Sequence, residues 1–291
     1  MKKILAVSGG VDSMVMLDVF CRRFPSEELV VAHFNHGVRE NASEDADFVR
    51  ARADEYGVLF CGGEAELGPG ASEVQAREKR YEFLLQVANQ YGNATIYTAH
   101  HLDDLIETVI INILRGTGWR GLAVLDRKGV HRPFLETEFF YEPMDRAAII
   151  EYAAKRRLRF REDPSNSWDE YLRNRVRYGM NNVLSFAEKM RIYEQWQKQR
   201  TLRDEIDGII NGFLPEDGGY ERKWFRGLDT GEGLQKVARE ILRAGLLKAG
   251  VTATRPQIED FRSAILNYAS GKSFNLPDDR LVKLGKEEFW L

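Results

Sequence analysis

Two glycines flanked by serines and an aspartate, Ser8-Gly9-Gly10-Val11-Asp12-Ser13, follow the first apolar run of the chain. Paired glycines let the backbone curl so that successive N–H groups face one point, the serines add hydroxyl donors, and a helix starting there brings the positive end of its dipole. Such a turn is a cradle for phosphate. It lacks the Gly-Lys-Ser/Thr ending of a Walker loop and is not G-x-G-x-x-G, which excludes a P-loop motor and a dinucleotide dehydrogenase. Further along, His100-His101 stands just before Asp103-Asp104. Asp12, Asp103 and Asp104 are candidates to hold Mg²⁺, the hard cation that carboxylates and phosphates share, and a histidine beside them suits phosphate contact or proton movement. Arg39 and Arg115 could grip a phosphate in bidentate fashion, with an unpartnered surface position as the competing role. Arg77, Arg80 and Tyr81 lie three or four apart on one helical face and suit an RNA backbone and base; a solvated face paired to Glu73 or Glu78 competes.

The elements that position these groups follow from periodicity. Lys2 to Val7 reads as a strand, the serine-glycine turn follows it, and Met14, Val15, Leu17 and Val19 recur at helical spacing. Apolar runs at Leu29 to His33, Val58 to Cys61 and Thr95 to Thr98 alternate with helical stretches at Glu44 to Tyr56, Glu73 to Tyr91 and Leu102 to Leu114. Strand-helix alternation implies a parallel sheet covered on both faces, an α/β doubly wound fold whose ligands bind at the carboxyl ends of the strands. Val130 to Pro133 reads as a last strand and Met144 to Arg157 as a helix. The chain then turns helical and Arg-rich, with a long helix over residues 185–210, a break at Pro215-Glu216-Asp217-Gly218-Gly219, and a small helical region from Gly231 ending in short strands near Phe274-Asn275-Leu276. The expected organisation is a catalytic domain over 1–185, a linker helix over 186–215 and a small C-terminal domain over 216–291.

The chain has 291 residues, 43% hydrophobic and 30% charged, which excludes a disordered or collagenous chain. Without a run of about 20 apolar residues or a cleavable leader, the expectation is a soluble, cytoplasmic protein with no membrane partner. Two cysteines, Cys21 and Cys61, form neither a disulfide framework nor a C-x-x-C pair and are expected to be buried, inert thiols. The net charge of −3 hides a basic segment: residues 151–203 carry 13 Lys/Arg against 7 Asp/Glu. Arg173, Arg175 and Arg177, with Trp168, Tyr171 and Tyr178 interleaved, suit contact with phosphates and unpaired bases; a solvated charge run is the alternative.

The serine-glycine turn resembles the PP-loop of the ATP pyrophosphatase superfamily, and later motifs narrow the likeness to the tRNA(Ile)-lysidine synthase family. They are His33-Phe34-Asn35-His36-Gly37-Val38-Arg39, Glu73 to Tyr81, Thr98 to Thr108, Arg115-Gly116-Thr117-Gly118-Trp119-Arg120-Gly121-Leu122, Arg132-Pro133-Phe134-Leu135, and Glu162-Asp163-Pro164-Ser165-Asn166 followed by Arg173-Asn174-Arg175-Val176-Arg177. The C-terminal segment is similar only around Ser270-Gly271-Lys272-Ser273.

The resemblance implies a Rossmann-like PP-loop domain with a smaller helical domain behind it. It implies ATP bound by Ser8, Gly9, Gly10, Val11, Asp12, Ser13, Phe34, Asn35, His36 and Arg115, with Asp12, His100, Asp103, Asp104 and Arg115 in catalysis. Arg39, Arg77, Arg80, Tyr81, Glu107, Arg173, Asn174, Arg175 and Arg177 would face substrate or tRNA, Glu107 having a pairing role on its own helix as the alternative. The implied reaction joins free L-lysine to carbon 2 of the wobble cytidine of a tRNA(Ile) with a CAU anticodon through an adenylated base, releasing pyrophosphate and AMP; a homodimer is compatible with it. The chain departs from the family pattern at Arg146-Ala147-Ala148, where an acid is expected two positions after the arginine, and in a short insertion, Thr137 to Tyr141. Glu136, Glu138 and Glu142 are candidates to replace that acid, and Asp103 or Asp104 could serve the amine instead of the metal. Rival readings are a tRNA thiolase, a metabolic synthetase of the same superfamily, and a nucleotide-sensing or RNA-binding module without turnover.

Overall fold

The computed structural model describes residues 1–35, 42–65, 73–161 and 171–291, the side chains at 42, 43, 73, 171–174, 181 and 182 excepted. The alternating periods become β1 (Lys3–Ala6), α1 (Val11–Arg23), β2 (Leu29–Asn35), α2 (Ala42–Glu55), β3 (Leu59–Glu64), α3 (Glu73–Gln90), β4 (Thr95–Thr98), α4 (Leu102–Leu114) and β5 (Val130–His131). The strands line up in the order β3-β2-β1-β4-β5, each neighbour parallel, with Leu5 level with Val31 on one side and Tyr97 on the other.

Side chains alternate across a strand, so the sheet buries two faces. Leu5, Val31 and Tyr97 share one core with α1, α2 and α5 (Arg146–Arg156). Ile4, Val30, Ala32 and Ile96 pack on the other face against Tyr81, Leu84 and Val87 of α3. A third cluster joins Leu102, Leu105 and Ile106 of α4 to Val176 and Met180 of α6 (Tyr171–Val183) and to Tyr193 and Trp196 of α7 (Phe186–Asn211).

The strand order reverses between β1 and β4. After β1 the chain moves outward to β2 and β3, and after β4 it moves the other way to β5. The loops leaving β1 and β4 therefore diverge and open a crevice at the carboxyl edge of the sheet, where folds of this type take their ligands. The serine-glycine turn and the paired histidines are those two loops.

The chain divides into two compact units, Met1–Gln199 and Arg200–Leu291. Against the expected linker helix over 186–215, α7 spans Phe186–Asn211 and the division falls within it. The second unit holds β6 (Gly219–Glu221), α8 (Arg222–Gly227), α9 (Glu232–Lys248), α10 (Arg255–Asn267), β7 (Ser273–Asn275), β8 (Leu281–Lys283) and β9 (Glu288–Trp290). Its strands form two antiparallel pairs, β6 with β9 and β7 with β8, beside a core of Tyr220, Phe225, Leu242, Phe261 and Phe289. No helix among the described residues is long and apolar enough to cross a membrane.

Candidate active site

The turn after β1 is braced from within. Gly9 holds a φ of +95°, a conformation that favours glycine, and a Cβ there would press on Val49 Cγ2 at 3.3 Å. Gly10 caps α1, and the buried Ser13 hydroxyl receives the N–H groups of Ser8 and Gly9, each at 3.2 Å, while donating to the Gly10 carbonyl at 2.9 Å. Two amides expected to face phosphate are thus held by Ser13. The Gly9 carbonyl accepts the N–H of Arg161 at 2.9 Å, and the Arg161 guanidinium pairs with Glu44 and Asp45 of α2. Below the turn, the buried His33 places Nδ1 2.8 Å from the Val7 carbonyl, and burial holds its pKa below the usual imidazole value.

Across the crevice, His101 is the N-cap of α4 in a reciprocal capping box: its own N–H donates to Asp104 Oδ2 at 3.0 Å. Two acids in the first helical turn are favoured by the dipole. His101 is the hub of the site, with Nε2 3.8 Å from Asp12 and 3.5 Å from Asp104, and Nδ1 3.8 Å from Asp103. Burial works to raise the Asp104 pKa, but His101, His100, the His101 amide and Arg177 bring it below the carboxylate norm. His100 places Nδ1 3.0 Å from Thr98 Oγ1, and desolvation, with Arg132, Arg80 and Arg77 nearby, pushes its pKa down to about 3. A neutral imidazole of that pKa is a hydrogen-bonding group.

Arg146, the first residue of α5, closes the site from a third side. Its guanidinium pairs with Asp12 and its N–H donates to Asp103 Oδ2 at 2.7 Å. The other oxygen of Asp103 lies 2.7 Å from the Lys189 ammonium, which also stands 3.1 Å from Asp145. Asp103, expected with Asp12 and Asp104 as a metal ligand, is buried, with one oxygen accepting the Arg146 N–H and the other paired with Lys189. Among the described residues no three His, Cys, Asp or Glu side chains converge as a metal cage. Mg²⁺ in phosphoryl sites needs only one or two carboxylates and completes its shell with phosphate oxygens and water. Asp12 and Asp104, each with 29% of its side chain exposed and both close to His101, fit that demand, provided that the cation replaces the exposed Arg146 contact that now meets both oxygens of Asp12.

The remaining expected residues divide. Glu107 is buried on α4, and Arg177 of α6 grips it with Nε and Nη2, both 3.0 Å away, so this arginine is engaged with the α4 carboxylate. Tyr81 is 1% exposed, and its ring packs in the α3 core, so it offers no face to an RNA base. The guanidiniums of Arg77, Arg80 and Arg127 lie 5.6, 5.5 and 4.1 Å from that ring. Arg115 is the C-cap of α4. Thirteen helical residues separate it from His101, about 20 Å at 1.5 Å per residue, so the fold does not bring it beside the turn. Phe34 and Asn35 end β2 at the same sheet edge as the crevice, Phe34 with its ring 5.5 Å from Phe83. Arg175 is exposed on α6. His36, Arg39 and the Glu162 to Asn166 motif with Trp168 lie outside the described residues, as do the side chains of Arg173 and Asn174.

Of the replacement acids, Glu136 accepts the Arg132 N–H at 2.9 Å and pairs with His131, while Glu138 and Glu142 are exposed. Cys21 and Cys61 are half-buried instead of fully buried, and burial pushes the Cys21 thiol up to about 12, keeping it unreactive. Arg146, Asp145, Lys189 and Arg161 are absent from the sequence-based site. Asp145 carried a signal, an aspartate just before a helical period, and it does cap α5 by accepting the Ala148 N–H at 3.0 Å. Lys189 carried none, because its partners lie 44 and 86 positions away in sequence.

Comparison with known proteins fits this geometry. Residues 1–184 match the PP-loop domain. The chain is 35% identical over 211 residues to the Bifunctional protein TilS/HprT of Listeria innocua, covering 68% of this chain and 31% of that protein. It is 34% identical over 225 residues to the tRNA(Ile)-lysidine synthase of Thermotoga maritima, covering 72% of this chain and 52% of that one. The matched stretch thus spans about half or less of these relatives. Among solved structures, the U34-tRNA thiolase NcsA of Methanococcus maripaludis shares the fold with a TM-score of 0.56 at 18% identity, over 69% of this chain and 73% of that one. With the matched domain covering the sheet, the turn and the histidine-aspartate cluster, this chain belongs to the PP-loop domain family.

Proposed function

We propose that this chain uses ATP to ligate free lysine to carbon 2 of the wobble cytidine of a tRNA(Ile) with a CAU anticodon. One observation carries the reading: the glycine turn and the Asp12, His101, Asp104 cluster meet at the sheet's switch point. The likeness to tRNA(Ile)-lysidine synthases then supplies the substrate class.

In this reading the amides and hydroxyls of the turn grip the β- and γ-phosphates, exchanging the internal Ser13 contacts for phosphate oxygens. Mg²⁺, held by Asp12 and Asp104, would neutralise the departing pyrophosphate. The cytosine O2 attacks the α-phosphorus and the bond to the bridging oxygen breaks. The amine of lysine then attacks carbon 2, its proton passing to a base or to water, and AMP leaves with the former base oxygen. An anticodon loop presents an unstacked cytosine at little cost. Sulfur transfer as in a thiolase fits less well, since a [4Fe-4S] centre held by cysteines needs more thiols than the two in this chain.

The test is to incubate the protein with Mg-ATP, labelled lysine and CAU-anticodon transcripts. Lysine-dependent label on the isoleucine transcript, with none on the methionine one, is the expected result. ADP as product, or AMP formation indifferent to lysine, sinks the reading. Asp12→Ala is expected to abolish AMP release while tRNA affinity stays within about threefold, because its carboxylate serves the nucleotide side of the crevice.

A further inference from the structure

Lys189 sits where a lysine is disfavoured twice. It lies in the first turn of α7, whose start is capped by Ser185 and Glu188, and a cation there opposes the helix dipole. It is also 8% exposed, and a buried ion triad seldom stabilises a fold more than apolar packing of the same volume. Its ammonium nevertheless remains charged, because Asp103 and Asp145 outweigh the burial that would lower its pKa.

Those two partners are the reason to look beyond stability. Asp103 lies in the first turn of α4 and Asp145 is the N-cap of α5. Lys189 bridges them at 2.7 and 3.1 Å, so one ammonium joins two helix starts that would otherwise repel through their acids and their dipoles. Arg146 follows Asp145 directly, its N–H is held by the far oxygen of Asp103, and its guanidinium meets Asp12 of the phosphate turn. We propose that Lys189 is a positioning residue: by holding Asp103 and Asp145 it sets Arg146 against the phosphate turn, and with it the orientation of Asp12 for the nucleotide reaction. This rests on the function proposed above.

The experiment compares Lys189→Met, Lys189→Arg and the double variant Lys189→Met/Asp145→Asn, in the full chain, for pyrophosphate release with lysine and the CAU transcript. Mg-ATP affinity without tRNA and the thermal midpoint are measured alongside. The methionine variant and the double variant are expected to lose about tenfold or more in kcat, with KM for tRNA within about twofold, since a displacement of an ångström costs up to about a hundredfold. Arginine is expected to restore the rate to within about threefold. The double variant removes one of the two buried carboxylates that Lys189→Met leaves without their ammonium, and Asp103 keeps the Arg146 N–H, so it remains informative where Lys189→Met fails to fold. Wild-type kcat in the double variant, no recovery with arginine, or a loss that follows the thermal midpoint alone overturns the proposal. If the wild-type chain releases no pyrophosphate under these conditions, the function reading fails by itself. The positioning role then stands on Mg-ATP affinity, expected to weaken with methionine and recover with arginine, and it falls if neither changes.

Discussion

At the scale of single residues, Asp18 shows how a buried charge is made tolerable. Its carboxylate, 1% exposed on α1, receives Arg22 Nε at 2.8 Å, Tyr56 Oη at 2.7 Å and Tyr152 Oη at 2.8 Å. Burial works to raise its pKa, but those three hydrogen bonds overcome it and leave the value below the ordinary carboxylate range. The folded state therefore binds this proton less readily than the unfolded chain does. Its contribution to stability is full above about pH 4, the ordinary aspartate value, and is lost as pH falls through the lower folded value. Asp18→Ala is expected to destabilise the chain by about 3 kcal/mol in denaturant titration, since Arg22 and two phenols lose their shared acceptor. Asp18→Asn, measured from pH 3 to 6, is expected to flatten the acid limb; an unchanged limb would assign it to other carboxylates.

Elements add a constraint that no residue supplies alone. The helix starts of α1 and α4 both face the crevice between β1 and β4, each preceded by a short loop that a parallel strand order forces to diverge. The turn before α1 strains any side chain at Gly9. Gly9→Ala is expected to cost about 1–3 kcal/mol, because alanine would be held at positive φ and its methyl would press on Val49. The same variant should lose protection of the chain by Mg-ATP against thermal unfolding. A variant that keeps both its midpoint and its nucleotide response would show that the turn rearranges freely. Much of this level is legible in one dimension. Alternating apolar runs mark the strands, and Asp103-Asp104 after His101 reads as a helix start as well as a chemical cluster. Tyr81 shows the limit: its helical spacing with Arg77 and Arg80 is correct, but periodicity does not say which face of α3 meets the sheet.

For the whole molecule, each unit has its own core and its own buried polar anchor. In residues 200–291 that anchor is Arg222, 2% exposed, whose guanidinium donates to the carbonyls of Ile265 at 2.7 Å, Gly285 at 2.8 Å and Tyr268 at 2.8 Å. Burial lowers its pKa from the usual arginine value, yet its guanidinium serves all three carbonyls. Arg222→Met is expected to destabilise this unit by about 2–5 kcal/mol, leaving three acceptors unsatisfied. Hydrogen exchange should show the loss in α10 and β9 while β1 and β4 keep their protection. Uniform loss across both units would mean that they unfold as one.

The amino-acid sequence by itself determined the sheet, the glycine turn and the chemical class of the groups around it, because strand and helix periods and turn stereochemistry are local properties of a chain. Only the tertiary structure decided which groups are engaged with one another. It set Arg146 against Asp12, tied Asp103 to a lysine 86 positions away and Glu107 to Arg177, and buried Tyr81. Ion pairing and burial depend on distances between elements far apart in sequence, and those distances exist only once the helices have packed on the sheet.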